Sequence, residues 1–499
     1  MLASLVTFAV GLGIRFFLTP YIVRTLGAEA YGFIGLSANI LSYTSLLTIA
    51  LNSMAGRYIT IKYCSGEIDE ANKYYSSVFY SNVFFAFIIL SASIICVIYI
   101  EKLLTIPPAF IYDVKALFAV LSLNTIVGLL SSVWGVATFI KNRLDLSNVR
   151  TIVGSILNAA TIIILFAFFP PRLWFVGAAG MVLTIYQAIT NHHYSKTLTP
   201  ELIIERQNYQ WGKIHELLKA GAWNLLTKLG EILGQGLDLL LANVFIGAAS
   251  MGYFSLTKNV PFLILGLFQV LSGVFAPIFT QLYANKKNEE LVEKVKQSIL
   301  ILSVFTAIPL VFLYLYGESF YALWLPTENA HKLQVLTIVG TFALPYCLPL
   351  ESLWNIFTVV NKVKVPSIFM VCQNLSALVI VISCMYIVTD SDAKLLILAG
   401  TRSALGIIRG FIFLPLYGAR CLSIKPNSFY ITIFQSLLYF SISFLVCYLV
   451  KFVLIASSWS MFILAGLLVS TVCIGLSFFL ILNEKDRMYI KEKVVSVIK

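Results

Sequence analysis

Residues 77–100 read SVFYSNVFFAFIILSASIICVIYI, 24 positions without a charged side chain. Wound as an α-helix, this stretch extends about 36 Å, enough to cross the roughly 30 Å hydrocarbon layer of a bilayer. It therefore predicts a transmembrane span. Similar runs lie upstream at 1–24 and 32–56, and downstream at 114–138, 151–169 and 173–194. Others follow at 216–246, 252–283, 298–317, 331–359, 366–389, 393–416, 429–452 and 459–482, which makes about fourteen spans of crossing length.

The composition agrees. Only 12% of the 499 residues are charged and 59% are hydrophobic, whereas a soluble domain carries about 25% charged residues. The formal charge of +12 does not point to nucleic acid, because the basic residues sit in short loops between apolar spans. Eight cysteines are scattered without a C-x-x-C pair and read as small buried hydrophobes. Ala28-Glu29-Ala30 resembles a signal-peptidase site, but no basic segment precedes the first apolar run and Arg15 interrupts it, so the first helix is expected to stay.

Loop charge gives the orientation. Alternate loops hold 22 Lys and Arg on one side, among them Arg57, Lys141, Lys213, Lys286 and Lys485, and 7 on the other, among them Lys102, Arg172 and Lys332. The excess of cations marks the cytoplasmic face and predicts both termini there.

Sliding the chain by 220 residues shows an internal repeat. Gly27-Ala28 falls on Gly247-Ala248, Gly32-Phe33 on Gly252-Tyr253, Asn39 on Asn259 and Tyr63 on Tyr283. Each repeat holds an even number of spans, so the halves share an orientation. The expected organisation is an N-terminal six-helix bundle over 1–196, a cytoplasmic linker over 197–215, a second six-helix bundle over 216–417, and a helix pair with a tail over 418–499. Two such bundles create a cleft between them, where transporters of this kind place their sites.

An ionisable residue at mid-bilayer costs about 2.5–3.5 kcal/mol on insertion scales, which makes each one a functional candidate. Arg15 lies near the middle of its span. Asn224, Lys228, Glu231, Gln235 and Asp238 are spaced by four, three, four and three, the pattern of one polar stripe on an α-helix. Lys258, Glu351, Asn355, Arg402 and Arg409 add to the set. Cations outnumber acids in these spans, which suits an anionic group, and Arg binds phosphate through paired N–H donors. Arg15, Lys228, Lys258, Arg402 and Arg409, with Asn224 and Gln235, are thus candidates for a polar cavity that holds an anionic group. Glu231, Asp238 and Glu351 are candidate coupling-ion sites. The plainer alternatives are that Lys228 and Glu231 neutralise each other and that Asp238, Lys258 and Arg409 reach toward the headgroups. Gly230-x-x-x-Gly234 and Gly406-x-x-x-Gly410 predict close helix packing. His192-His193 reads as an interfacial pair. There is no Walker loop, catalytic triad or metal-ligand cluster in the sequence, so the expected function is non-enzymatic, without a cofactor, and driven by an H⁺ or Na⁺ gradient, the membrane potential or substrate flow.

The opening segment, from Arg15 through Pro20-Tyr21-Ile22-Val23-Arg24-Thr25-Leu26-Gly27, then Tyr31-Gly32 and Asn52-Ser53-Met54-Ala55-Gly56-Arg57-Tyr58, resembles the Wzx-type polysaccharide flippases. These belong to the multidrug/oligosaccharidyl-lipid/polysaccharide exporter superfamily, with the multidrug (MATE) exporters and the lipid II flippase. The resemblance implies a V-shaped pair of bundles in the bacterial inner membrane. It also implies translocation of an undecaprenyl-diphosphate-linked glycan to the outer leaflet, for O-antigen, capsule or exopolysaccharide synthesis, with membrane lipids, a polymerase and other assembly proteins as partners and no nucleic acid. A flippase for lipid II or a teichoic acid precursor, or a small-molecule antiporter, is the alternative. An exporter of cationic drugs is expected to carry an acid in the first span, where this chain has Arg15. A membrane-embedded glycosyltransferase or polymerase would need catalytic acids and usually a large outer loop, which the sequence lacks.

Overall fold

A computed structural model describes residues 2–480, and among them all regular structure is helical. The physical basis is the one the sequence announces: in hydrocarbon every backbone N–H and C=O must be satisfied within the chain, and a helix does this locally. Ten helices among the described residues are long and apolar enough to cross a membrane. Two further pairs, Ala28–Ser42 with Ser45–Cys64 and Ala330–Cys347 with Pro349–Val359, qualify when each is taken as one span, bent by 61° and 51°. By length and apolarity the described residues thus give up to twelve of the fourteen expected spans. The expected spans over 173–194 and 216–246 do form helices, Trp174–Leu198 and Trp211–Glu231 continued by Asp238–Phe245. Gln187, Asn191, His192 and His193 dilute the first, and Lys219, Lys228, Glu231 and Asp238 the second, so neither belongs to the apolar set. The basic tail from Lys485 onward lies outside the described residues.

By contacts the chain forms two compact units, one running through Leu256 and including Ser367–Met385, the other comprising Thr257–Pro366 and the chain from Tyr386 on. In the first unit the Ile68–Leu103 helix shows how a membrane fold sorts its side chains. Phe84, Phe87, Ile94 and Ile98 are exposed on one face, while Tyr74, Tyr75, Val78, Asn82 and Ile89 are buried on the other. Apolar residues outside and polar ones inside is the reverse of a soluble helix. The second unit is built on the Asn288–Trp324 helix, against which Tyr430–Val453 and Trp459–Leu480 pack. Tyr316 donates to the Leu454 carbonyl at 2.9 Å, and Phe312 stacks at 4.8 Å on Tyr316 and lies 4.9 Å from Phe462. The final helix pair thus shares the core of that unit.

The repeat is visible in the backbone. Gly27 and Gly247, aligned by the 220-residue shift, both have positive φ, 88° and 128°, and each precedes a helix, Ala28–Ser42 and Ala248–Thr257. Gly66 and Lys286 also align and share the left-handed region, at φ 80° and 57°. After them begin Ile68–Leu103 and Asn288–Trp324, helices of 36 and 37 residues.

In the first unit, aligned residues also meet. A methyl group on Gly32 would stand 2.9 Å from the Gly252 Cα, and one on Gly35 would stand 2.9 Å from the Ser255 hydroxyl. The segment from Trp211 to Leu256, second-half material by the repeat, is therefore joined by contact to Ala28–Cys64. Gly221 closes this packing further along: its Cα passes so near Ala50 that a side chain there would overlap the Ala50 carbonyl. Close backbone approach at small residues is how helices adhere in lipid, where no hydrophobic force drives them together.

Between Thr199 and Gln210 the chain is irregular apart from a 3₁₀ turn at Arg206–Asn208, yet its backbone is not left unsatisfied. Asn72 donates to the Glu201 carbonyl at 3.1 Å and accepts from the Ile203 N–H at 3.0 Å. Ser76 does the same for Ile203 and Glu205, and Ser77 for Gln210. Three side chains on Ile68–Leu103 thus act as a partner strand for the expected linker. Nearby, the Glu201 backbone N–H and the Tyr63 hydroxyl, 2.8 Å away, hold the Glu201 carboxyl below the usual carboxylate range.

Gly221→Ala is expected to cost about 2 kcal/mol or more through forced separation of the two helices. Gly56→Ala, whose methyl would meet nothing within 4 Å, should be neutral or stabilising by up to about 1 kcal/mol from helix propensity. Thermal unfolding in detergent compares them, and equal melting would show that the Gly221 contact is not held.

Candidate functional site

The polar stripe begins as the sequence predicts. On Trp211–Glu231, Asn224 donates to the Ser53 hydroxyl at 3.0 Å, and Lys228 pairs with Glu231 at 3.0 Å. Both partners of that pair keep solvent-accessible surface, 33% and 54% of their side chains, so mutual neutralisation occurs without burial. The stripe is then interrupted. Residues Ile232–Gly236 form a π turn, and the wider turn shifts the register of all that follows. Asp238, which ideal helical spacing would leave beside Glu231, is instead 4% exposed. Gln235 lies on the π turn, and its side chain is outside the described residues.

The π turn is held from both sides. The Tyr43 hydroxyl donates to the Gly236 carbonyl at 2.8 Å and the Asn374 amide to the Gly230 carbonyl at 3.0 Å. Gly230, Gly234 and Gly236 permit this because a side chain on them would strike Met370, Asn374 and Tyr43 respectively. The expected small-residue contact at Gly230 and Gly234 is thus realised against Lys364–Ile387. Arg15 is exposed on Leu2–Leu26, on the face that further along carries the buried Thr19 and Ile22.

The second unit holds the remaining candidates. Lys258 is half-buried at the break between Ala248–Thr257 and Asn259–Gly273. Asn355 donates to the carbonyl and hydroxyl of Ser272 at 3.2 and 3.1 Å. Arg402 is half-buried on Ser391–Ile408. Arg409 opens a second π turn, Arg409–Phe413, and its Nη2 lies 2.6 Å from Glu351 on the 3₁₀ turn Pro349–Ser352. These side chains are 25% and 18% exposed, and Arg409 Nε has no hydrogen-bond partner. A candidate phosphate ligand and a candidate ion site are therefore bonded to each other. Nothing in the sequence marked this, since the two residues are 58 positions apart and meet only where two irregular turns face one another. Packing of the Gly410 backbone against Cys347, whose thiol donates to the Gly406 carbonyl at 3.1 Å, brings the turns together.

Arg150 stands one residue before the expected span at 151–169 and so counts by sequence with the loop cations. It lies instead on the second turn of Leu144–Phe168, half-buried, with Nη2 donating to the Ser147 hydroxyl at 3.1 Å and with Nε and Nη1 lacking partners. A guanidinium with unused donors is a further group able to meet an anion. Its signal in the sequence was position alone, one turn inside an apolar run.

Comparison with known proteins places this arrangement. Residues 21–325 match the family described as polysaccharide biosynthesis protein. The chain is 27% identical over 495 residues to the uncharacterized membrane protein EpsK of Bacillus subtilis (strain 168), covering 98% of this chain and 96% of that one. Its fold is similar to the inward-facing conformation of a multidrug resistance MATE family transporter of the MOP superfamily, with TM-score 0.68, 13% identity, and coverage of 84% of this chain and 95% of that one. It is also similar to the lipid II flippase MurJ in an inward closed conformation, with TM-score 0.66, 17% identity, and coverage of 96% and 98%. The chain is a multi-pass membrane protein with a MATE- and MurJ-like fold.

The two ion pairs should differ in energy. Removing one partner of Glu351–Arg409 leaves the other poorly solvated, and Arg409→Ala is expected to destabilise by roughly 2–4 kcal/mol, while the coupling between Lys228 and Glu231 stays below about 1 kcal/mol. Double-mutant cycles on unfolding in denaturing detergent, with Glu351→Leu and Arg409→Met as the uncharged pair, measure both. Equal coupling energies would contradict the difference in burial.

Proposed function

This chain belongs to the polysaccharide biosynthesis protein family, and on that premise we propose that it is a flippase, moving an undecaprenyl-diphosphate-linked oligosaccharide from the cytoplasmic to the outer leaflet by alternating access. The observation that carries this proposal is the set of cations within spans: Arg15 exposed near the middle of its helix, Lys228 partly accessible, and Arg409 with an N–H still unused. Cations inside a bilayer are costly, and a diphosphate is a group that repays the cost through charge-assisted hydrogen bonds.

In this mechanism Arg15 and Lys228 meet the diphosphate, with Lys258, Arg402, Arg409, Asn224 and Gln235 as further contacts. The glycan occupies the polar interior and the polyprenyl tail stays in lipid. Lys228 is held by Glu231 and Arg409 by Glu351, so an arriving diphosphate competes with a carboxylate. Protonation or sodium binding at Glu231, Glu351 or Asp238 releases the cation or relieves the acid, which links the carrier to an ion gradient. The basic loops face the cytoplasm, as do both termini. The membrane is the bacterial inner membrane, and a polymerase at its outer face receives the repeat unit.

A leaflet assay tests this. Proteoliposomes carrying an undecaprenyl-diphosphate-linked disaccharide are expected to flip it with wild-type protein and at least about tenfold more slowly with Arg15→Ala or Lys228→Ala, each loss corresponding to about 1.4 kcal/mol or more. Unchanged flipping in both variants, with normal insertion, would remove the site assignment. Export of cationic dyes without movement of the lipid-linked sugar would instead establish an antiporter.

A further inference from the structure

The first unit contains a cavity of ≈ 420 Å³ walled by the bent span Ala28–Cys64, by Ile68–Leu103 and by Ile111–Ser131. It lies where the bent span breaks, at Tyr43 and Thr44, and no ionisable side chain lines it.

Its polar lining is mostly hydroxyl. Ser42, Thr44 and Ser45 each donate to the carbonyl three residues back at 2.6 Å, Thr48 donates to the Ser45 carbonyl at 3.3 Å, and Thr125 donates to the Leu121 carbonyl at 2.9 Å. Such back-bonding bends helices and commits each hydroxyl proton to the backbone. What these side chains offer inward is therefore oxygen lone pairs. Asn124 also lines the cavity, and its amide can both donate and accept. Below them, Asn52 and Asn82 exchange amide hydrogen bonds at 3.0 and 3.1 Å and fix two of the walls.

Hydroxyls committed in this way disfavour phosphate oxygens and suit a neutral group rich in O–H or N–H donors. Leu41, Ile89 and Leu121 supply apolar surface between the oxygens, which fits the C–H faces of a sugar ring. The volume lies within the range of about 300–1,000 Å³ usual for small-molecule sites. We propose that this cavity is a glycan subsite, binding an uncharged sugar residue of the transported lipid by accepting hydrogen bonds from it. This rests on the flippase reading and divides the labour of that reading: diphosphate on the cations, sugar at the bend.

The test compares two ligands on full-length protein in detergent micelles, undecaprenyl diphosphate and the same lipid bearing one N-acetylhexosamine, with affinities read by native mass spectrometry. Wild type is expected to prefer the glycosylated lipid at least about tenfold, the affinity ratio that about 1.4 kcal/mol represents. The near-isosteric double variant Thr48→Val/Thr125→Val, and separately Asn124→Leu, should bring that ratio to near one while leaving affinity for the bare diphosphate unchanged. Variants that melt like wild type and keep the preference would overturn the proposal. So would a wild type that binds both lipids equally, although the flippase reading would survive. Failure of wild type to bind either lipid would sink both. A monovalent cation is the rival occupant of an all-oxygen site, so binding is repeated with sodium replaced by N-methylglucamine. Sodium dependence that the Thr→Val changes abolish, with sugar preference intact, would assign the cavity to the ion and reject the sugar.

Discussion

Backbone hydrogen bonding in a medium without water is the constraint from which the rest of this structure follows. A straight helix satisfies it alone, and any break must borrow partners from neighbouring side chains. The breaks here do so. Tyr43 and Asn374 bond the carbonyls of the π turn at Ile232–Gly236 and the segment just before it, and serine and threonine hydroxyls bond the carbonyls around the bend at Tyr43 and Thr44. Outside the spans, Asn72, Ser76 and Ser77 serve the irregular segment after Thr199 in the same way.

The same breaks are where the polar chemistry collects. Glu231 and Asp238 flank one π turn, Arg409 begins the other, Glu351 sits on a 3₁₀ turn, and Lys258 marks the junction of two helices. An irregular turn exposes backbone dipoles and needs polar company, while a charged side chain in a span needs exactly such dipoles or a counter-charge. Each makes the other tolerable.

Duplication gives this scheme its economy. Positive-φ glycines at 27 and 247 and long helices beginning at Ile68 and Asn288 recur at one spacing. The chemistry placed on the two copies differs. One copy carries the hydroxyl-lined cavity and no carboxylate there, and the other carries Lys258 and the Glu351–Arg409 pair.

Periodicity and composition alone determined that the chain crosses the membrane repeatedly, that it is duplicated, and which residues are polar within apolar runs, because hydrophobic length and residue type are local quantities. Asn224, Lys228 and Glu231 were legible in this way, being neighbours on one helix. What only tertiary structure decided was where helices break and what meets across them. The π turn that buries Asp238, the pairing of Glu351 with Arg409 and the hydroxyl-lined cavity at Thr48 and Thr125 all involve contacts between segments distant in sequence. Hydropathy is blind to these, since a turn of five residues and a turn of four have the same composition and differ only in which neighbour is present to satisfy the carbonyl left over.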